Sequence, residues 1–504
     1  MNNNIKLIKA KSFLIGSLIL FLVSCNDLDK NPLDQISGPT FWNSQADADM
    51  ALAGAYSRLN SSPFTFQMVY YSVLAGDANQ SGISGTGEWN VVASGEIQPS
   101  SGLANVAYSS CYQGVSTCNT FLANIDRTPI SDATKDVYKG EVLFLRAFFY
   151  FRLQEFYGGV PLYTAPVSLE EAKVEQATRE QVVAQVLADL NEAIAKLPDE
   201  SYNGHAVKAS AQALKARVLL HQESWAEAAA TAKQVMTNGK FSLYNDFKNM
   251  FLHYGQENNP EILFSTKYLN PDNSNDQDIQ LQWWGILNPR QELVDAFETT
   301  DGLPITDPNS IYDPNDWMAN RDPRMRLTLK DFDEPAVKAS GEVVGYDYNN
   351  PSWTGYEPDK FVDVEELPVD YSTFSDHDWI LLRYAEVLLN YAEAQNEAAG
   401  PDQSVYDAVN EVRARPGIDM PPLPAGLSKE DMRARIRNER RVELALEGLR
   451  YSDIKRWKTA EIYIPTLERP NGAFRQFDPS KHYLFPFPQS ERDANPSLKQ
   501  NPNY

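Results

Sequence analysis

Apolar residues recur at three- and four-residue spacing along much of this chain, which is the pattern of amphipathic α-helices. The clearest case follows Thr178, where Thr178 and Gln181 have the spacing of a capping box. Pro198 stands where that helix must end. The apolar face between them consists of Val182, Val183, Val186, Leu187, Leu190, Ile194 and Leu197.

Two further helices are predicted directly after this one. The first covers about residues 205–222, and the second begins after Ser224 and ends near Gly239. Alanines occupy the positions where the two antiparallel helices would cross, as in a tetratricopeptide-type hairpin.

The same theme returns in the second half of the chain, where stacked helical hairpins are again expected. Helices are predicted over residues 379–396, from Ser404 to about Pro416, and from Ser428 to about Gly448.

A different helix is predicted over residues 138–157, because its apolar side chains surround the whole helix axis. A helix that is apolar on every side belongs at the centre of a fold. It ends at Gly158 and Gly159.

Between the two helical blocks, residues 258–376 are rich in Pro, Gly, Asn and Asp and show a helical period only at 288–297. A loop-rich stretch of this length inside a folded chain is usually functional. Residues 77–102 are similar, with many Gly and Ser residues. The pattern therefore predicts a mainly α-helical (all-α) fold, in which tetratricopeptide-like hairpins form a scaffold for a loop-rich face with little β structure.

The N-terminus has the pattern of a secretory signal. Three lysines precede an apolar run at residues 13–23, and Ser24 and Cys25 follow it. The run is too short to span a bilayer, which takes about 20 residues. The small residue before Cys25 resembles the lipobox of bacterial lipoproteins, so we expect residues 1–24 to be removed and Cys25 to carry the lipid. An ordinary signal peptide with an incidental cysteine, or an uncleaved anchor, are the alternatives.

Charge and cysteine content narrow the choice of partners. The formal net charge is -23, which disfavours binding to nucleic acid or to anionic lipid and favours a neutral or cationic ligand. Five scattered histidines give no metal-ligand spacing. Cys111 and Cys118 lie seven residues apart in a helical stretch, about 10 Å along the axis, which is too far for a disulfide. We expect both to be buried, free thiols.

Six segments, in order, resemble the SusD/RagB family of Bacteroidetes outer-membrane lipoproteins. Besides the lipobox and Asn31-Pro32-Leu33, they are residues 140–162, 382–394, 437–457 and the C-terminal run from Tyr483 to Pro502. Each motif alone is modest, but together they cover essentially the whole chain after the signal.

The resemblance implies a non-catalytic protein without cofactor that captures oligosaccharides or peptides and passes them to a SusC-type TonB-dependent porin. It implies membrane attachment through the lipid only. It also implies one structural unit with these parts: tether 25–39, N-terminal region 40–257, and C-terminal region 258–504, the last divided into loop-rich 258–376, helical 377–460 and strap 461–504.

Glycan capture needs flat aromatic faces and side chains that hydrogen-bond to hydroxyls. The aromatic residues in the loop-rich stretches are the candidates: Trp283, Trp284, Trp89, Tyr70, Tyr71, Trp353 and Tyr356. The polar candidates are Asn79, Gln80 and Arg290. Because neighbouring strand residues face opposite ways, only one of Trp283 and Trp284 is expected to meet ligand. Either tryptophan could instead pack under its own loop.

Three other interpretations stay open. Peptide capture would favour charged pocket residues, a surface glycoside hydrolase would need a placed pair of carboxyls, and a tetratricopeptide scaffold would bind only protein. The Asp272 to Asp278 loop could bind calcium but fits no known spacing. Charged residues between Arg440 and Asp453 are expected to form ion pairs that hold the last helices to the body.

Overall fold

The computed structural model describes residues 41–81, 87–346, 348–469 and 471–504. The predicted signal, the lipidated Cys25 and the tether therefore lie outside the described residues.

Helices dominate the fold, with 47% of residues in helix and 7% in strand, which confirms the mainly α-helical prediction. The α-helices are α1 (Gln45–Tyr56), α2 (Tyr71–Ala75), α3 (Glu88–Ala93), α4 (Gly102–Asn124), α5 (Asp132–Tyr157), α6 (Arg179–Lys196), α7 (Lys208–His221), α8 (Trp225–Met236), α9 (Gln291–Val294), α10 (Arg324–Thr328), α11 (Tyr384–Ala399), α12 (Gln403–Arg413), α13 (Lys429–Glu443), α14 (Arg450–Arg456), α15 (Ala460–Tyr463) and α16 (Gln489–Ala494). Short 3-10 turns cover Ser57–Asn60, Phe66–Tyr70, Ile125–Arg127, Asn249–Phe251, His253–Gly255, Val364–Glu366 and Ile464–Thr466, and Ile279–Trp283 forms a π-helical turn.

The strands are short and pair two by two. They are β1 (Ala78–Gln80), β2 (Ile262–Thr266), β3 (Leu287–Pro289), β4 (Leu329–Asp331), β5 (Ala336–Val337), β6 (Val343–Val344), β7 (Tyr356–Pro358) and β8 (Trp379–Arg383). Each pair is antiparallel: β1 with β3, β2 with β8, β4 with β7, and β5 with β6.

The long helices form the predicted scaffold. Helices α4 to α8 pack against one another in chain order, and α8 then packs against α11, which forms a hairpin with α12 and also contacts α13. One buried apolar core includes residues from Trp42 to Leu498.

The predicted side-chain caps at Thr178 and Ser428 are confirmed, whereas Asp402 rather than Ser404 caps α12 and Ser224 makes no side-chain capping bond. Thr178 and Gln181 form the capping box of α6, in which each side chain bonds to the other's backbone. Helix α5 ends at Gly158, whose φ of 74° suits glycine. It begins earlier than predicted, because the Ser131 hydroxyl accepts a hydrogen bond from the Thr134 N–H at 3.1 Å.

Two predicted helices are wrong in part, although the one predicted over residues 379–396 is confirmed from Tyr384 onward. Residues 379–383 form β8 rather than the first turn of α11, because their fully buried apolar run suits either element and β2 supplies a strand partner. The period at residues 288–297 divides between β3 and the short α9. Both errors arise where a partner distant in sequence decides the local structure.

A buried network of charges holds α13 to the rest of the molecule. The Glu443 carboxylate lies 2.7–2.9 Å from guanidinium nitrogens of Arg324, Arg383 and Arg415. Further along, Arg440 pairs with Asp453 at 3.2 Å. These contacts confirm the predicted ion pairs and explain these charges without a catalytic role.

Cys111 and Cys118 are buried, free thiols in α4, as predicted. Burial raises the pKa of both thiols, so neither is a reactive nucleophile. Among the described helices, none combines the length and apolar character needed to cross a bilayer.

Candidate functional site

Two aromatic groups approach each other on the loop-rich side of the molecule. In the first, Tyr70 and Trp89 stack with ring centroids 5.1 Å apart and planes 11° from parallel. Both side chains are half-buried. Tyr71 lies edge-on to Trp89 at 5.2 Å, but it is buried and its other side stacks on Phe156.

Gln80 positions Trp89, which explains why a polar residue at the end of β1 matters. Its side-chain oxygen accepts the Trp89 backbone N–H at 3.1 Å. Asn90 donates to the Gln80 carbonyl at 2.8 Å and accepts the Gln80 N–H at 3.0 Å. The start of α3 is therefore fixed to β1, and the Trp89 ring is held against Tyr70.

The second group contains Trp283, Trp284 and Tyr371. The two indoles are edge-to-face at 4.6 Å, and Tyr371 lies 4.9 Å from Trp283 and 6.3 Å from Trp284. Both tryptophans are half-buried, and Tyr371 is 68% exposed. The expected strand alternation is wrong, because Trp283 ends a π-helical turn and Trp284 follows it with helical dihedrals.

The loop at residues 348–350 fastens the second group from behind. The Asn349 N–H and the Asn350 side-chain amide donate to the carbonyls of Trp283 and Trp284, each at 2.6 Å. Gly285 permits this approach, since its φ is +54° and an added Cβ would lie 3.2 Å from the Tyr348 ring.

Pairing of β1 with β3 brings the two groups together. Gln80 lies opposite Leu287, and the Ser81 N–H donates to the Ile286 carbonyl at 3.0 Å. Asp276 is related to both groups. Its carboxylate accepts a hydrogen bond at 2.8 Å from Gln280, which lies in the same turn as Trp283. Burial raises the pKa of Tyr70, and the charge of Asp276 raises it further. We call Tyr70, Trp89, Trp283, Trp284 and Tyr371 the aromatic face.

The structure does not bring all predicted residues to this face. Asn79 is buried, and its side-chain oxygen accepts hydrogen bonds from Arg290 at 3.2 Å and Arg475 at 3.0 Å. Arg290 is also buried and pairs with Glu292 at 2.7 Å. With Tyr71, these residues support the site from beneath and offer no surface to a ligand.

Trp353 and Tyr356 belong to a neighbouring group at β7. The Tyr356 ring lies edge-on to Trp317 at 5.0 Å, and its hydroxyl donates to Gln291 at 2.6 Å. Trp353 is half-buried, with its N–H 3.5 Å from the Asn288 side-chain oxygen.

Sequence reasoning missed Tyr371, Phe374, Tyr268 and Asp276. Tyr371 and Phe374 are exposed large side chains. Tyr268 is half-buried, and burial raises its pKa, with the charge of Asp276 raising it further. A signal in the sequence could have found Tyr371 and Phe374, because both stand among Ser, Thr and Asp at residues 370–376. Trp283 likewise follows a polar stretch.

One group of described residues has the composition of a metal site, namely His253, Asp376 and His377. Both nitrogens of His377 are engaged, however: Nδ1 accepts the His253 N–H at 3.0 Å, and Nε2 lies 3.1 Å from the Asp278 carboxylate. Burial lowers the pKa of His377, but Asp278 outweighs it and the net shift is upward. The cluster is explained as an internal hydrogen-bonded group.

Glu357 is a carboxyl group near the face whose side chain is closed to solvent. Burial raises the pKa of Glu357 well above its ordinary value, but this residue is 0% exposed and bonded to Asn288 at 3.0 Å. A sugar ring could not reach it. The rings of the aromatic face offer stacking, and the exposed Asp276 carboxylate offers a hydrogen-bond acceptor.

Comparison with known families divides the chain in two. The model described as "SusD family" matches residues 247–504, and that described as "Starch-binding associating with outer membrane" matches residues 28–220. A SusD-like protein of Formosa agariphila is 29% identical over 97% of this chain and 98% of its own. A SusD-like protein of Bacteroides ovatus is 24% identical over 89% and 82%.

Solved structures show the same architecture. A SusD-like carbohydrate binding protein from Bacteroides fragilis superposes with a TM-score of 0.80 at 25% identity, over 91% of this chain and 100% of that one. A laminarin binding SusD-like protein superposes with a TM-score of 0.73 at 23% identity, over 92% and 100%.

Proposed function

The chain belongs to the SusD family, and from that premise we propose that it binds oligosaccharide at the cell surface and delivers it to a SusC-type TonB-dependent porin. The Bacteroides fragilis structure is that of a carbohydrate binding protein, and one of the matching family models is described as starch-binding and outer-membrane associated. The aromatic face is the observation that carries the proposal for this chain.

The geometry of the face suits sugar rings. Several half-buried or exposed aromatic rings converge from separate loops, and sugar C–H groups pack against such rings while hydroxyls need donors and acceptors nearby. Asp276, which acts on Tyr70, and Gln280, in the same turn as Trp283, offer those polar groups. Trp283 and Trp284 are both proposed to contact the sugar, since each is only half-buried.

A neutral glycan fits the charge of the site. The exposed Asp276 carboxylate acts on Tyr70, and the whole chain is strongly acidic, so a sulfated or uronate-rich polymer would be repelled at this face. The polar contacts are a carboxylate and an amide, which accept and donate hydrogen bonds to hydroxyls.

We propose that the protein does not catalyse a reaction and does not need a cofactor. The most perturbed carboxyl near the face, that of Glu357, is closed to solvent, and the buried carboxylates around Glu443 are neutralised by arginines. A glycoside hydrolase would instead need two reachable carboxyls on either side of the scissile bond.

The proposed anchor at Cys25 follows from the lipobox-like sequence. A polar tether at residues 25–39 would keep the body close to its porin at high effective concentration. We also propose that the N-terminal and C-terminal regions form one structural unit attached to this tether. Ion pairs between the two regions, such as that of Arg217 with Glu386, support this. A Cys25→Ala protein that imports its glycan at the normal rate would contradict this role.

Calorimetry of residues 26–504 against a panel of neutral glycans tests the binding proposal. For the glycan that binds, Trp89→Ala, Trp283→Ala and Tyr371→Ala should each weaken affinity about fivefold, since an aromatic contact contributes about 1 kcal/mol. Phe474→Ala is the matched control, because Phe474 is an exposed aromatic residue in the strap. Heat with peptides but with no glycan would favour peptide capture, and release of product sugars would favour a hydrolase. Unchanged affinity in all three variants would contradict the assigned face.

A further inference from the structure

A second cleft, with a volume of about 540 Å³, lies where the C-terminal ends of α5 and α7 meet α14 and the strap. Its lining includes Gln154, Arg179, His221, Lys455, Lys458 and Tyr483. We call it the basic cleft. None of these six residues belongs to the aromatic face, and the volume falls within the range of small-molecule sites, about 300–1,000 Å³.

Three of the four Lys and Arg side chains that line this cleft lack a carboxylate partner among the described residues. Arg456 is paired with Glu393 at 2.6 Å, whereas for Arg179, Lys455 and Lys458 no carboxylate among the described residues lies within 4 Å. Lys458 is exposed and its ammonium lies 4.0 Å from the Tyr483 ring centroid. A concentration of unpaired cations is unusual in a chain of net charge -23.

Lys455 is the strongest of these observations. It is only 9% exposed, and its ammonium donates one hydrogen bond, to the Glu155 carbonyl at 3.0 Å, although it carries three donors. Burial lowers its pKa to about 8, against the opposing charge of Glu155. The ammonium also lies 5.0 Å from the Tyr451 ring centroid, but it forms no ion pair within 4 Å with a described carboxylate, so a bound anion would stabilise it further.

The other titratable groups of the cleft do not supply the missing charge. Arg152 holds the Glu155 carboxylate at 2.9 Å, and Glu223 is exposed at the rim. Burial lowers the pKa of His221 to about 4, so this imidazole is neutral at pH 7.

An unpartnered amide points independently to a ligand. Gln154 is 6% exposed, and its side-chain oxygen has no hydrogen-bond partner among the described residues. The side-chain nitrogen of Gln222 is likewise buried without a partner. Buried polar groups without a hydrogen-bond partner are rare unless water or a ligand bonds to them. A ligand with hydroxyl groups could donate to the Gln154 oxygen and accept from the Gln222 nitrogen.

Neutralisation of helix C-termini explains only part of this arrangement. The contact of Lys455 with the Glu155 carbonyl is of that kind, and Arg179 donates to the His221 carbonyl at 3.4 Å. Each contact uses one donor. The Lys455 ammonium also lies 5.0 Å from the Tyr451 ring centroid, but neither this contact nor the helix C-termini account for the open volume of the cleft.

We propose that the basic cleft binds a small carboxylate that carries hydroxyl groups, a sugar acid in chemical class. The carboxylate lies between Lys455, Lys458 and Arg179, and the hydroxyls meet Gln154 and Gln222. This ligand differs in charge from the neutral glycan of the aromatic face, and the proposal does not depend on that function.

Titration calorimetry of residues 26–504 with glucuronate, and with glucose as its uncharged match, tests the proposal. Glucuronate should bind and glucose should not. Affinity should fall at least tenfold in Lys455→Met and severalfold in Lys458→Met, and it should weaken as pH rises from 7 to 9.5, because Lys455 loses its proton. Lys499→Met is the control, an exposed strap lysine paired with Glu175.

Three results would overturn the proposal: equal binding of glucose, inorganic phosphate binding as tightly as glucuronate, or unchanged affinity in Lys458→Met. That last variant guards against misfolding, since Lys458 is exposed and its loss removes only a surface charge. Whether or not glucuronate binds, the result with the neutral-glycan panel is unaffected. The sugar-acid proposal and the neutral-glycan proposal can therefore be refuted independently.

Discussion

Glu443→Gln is the most informative single test of how this fold is held together. The Glu443 carboxylate is fully buried at the end of α13 and contacts guanidinium groups of three arginines: Arg324 at 2.9 Å, Arg383 at 2.7 Å and Arg415 at 2.8 Å. Glutamine has nearly the same shape, so the substitution removes the charge without making a cavity, and its amide NH₂ would face a cation.

The size of the effect follows from the partners that remain. Each ion pair contributes about 4 kcal/mol of Coulomb energy at an effective dielectric constant of about 20, and desolvation offsets much of the total. Arg324 keeps Asp322 and Glu439, and Arg383 and Arg415 keep Glu261. Removal of one partner from a buried ion pair costs about 3–5 kcal/mol, and we expect about 4 kcal/mol here.

Urea unfolding followed by tryptophan fluorescence measures this loss as a lower transition midpoint. Glu430→Gln is the control, because Glu430 lies on the same helix with a side chain 74% exposed and only a loose contact to Arg433 at 3.9 Å. The control should stay within about 0.5 kcal/mol of the wild type. Equal stability of Glu443→Gln and Glu430→Gln would refute the reasoning, since desolvation would then cancel the attraction.

The effect of pH provides an independent check with a fixed sign. Burial raises the pKa of Glu443, but Arg415, Arg383 and Arg324 lower it by more, so the folded value lies well below the ordinary 4.5. A depressed pKa stabilises the fold above the unfolded value and loses that effect as pH falls towards the folded one. The stability gap between wild type and Glu443→Gln should therefore be constant from pH 8 to about 5.5 and narrow on further acidification.

Two further predictions concern backbone and thiols. Gly448→Ala should lower the free energy of unfolding by more than about 1 kcal/mol in the same assay, since φ is +81° and the new Cβ would lie 2.7 Å from the Met68 carbonyl oxygen. Gly426→Ala, at the same φ of +81° with nothing within 4 Å of the new Cβ, measures the cost of the positive φ without the clash. An equal loss in both variants would contradict the clash. Cys111 and Cys118 should not react with a thiol reagent in the native protein and should react fully in denaturant, because both are buried with raised pKa values; fast labelling without denaturant would contradict their burial.

Local chemistry made much of the helical scaffold predictable. The capping box at Thr178, the stop at Gly158 and the apolar surface of α5 act over a few residues, so their outcome does not depend on the rest of the chain. The strand at residues 379–383 could not be predicted in the same way, because its hydrogen-bond partner, β2, lies more than a hundred residues away.

The candidate site shows the same division. Trp89, Trp283 and Trp284 stand out in sequence as aromatic residues in polar loops, but nothing local reveals that β1 pairs with β3 or that Tyr371 joins them. Likewise, Asn79 and Arg290 look like exposed polar partners until the folded chain supplies Arg475 and Glu292 to them.

By itself the sequence determined the mainly helical character, the caps of some long helices, the buried thiols and the family, since these depend on short-range periodicity, caps and ordered motifs. Only the tertiary structure decided which aromatic rings share a face, which charges are buried in pairs, and that Lys455 has none. Those properties depend on distances between residues far apart in the chain, which burial and long-range pairing fix only when the whole molecule has folded.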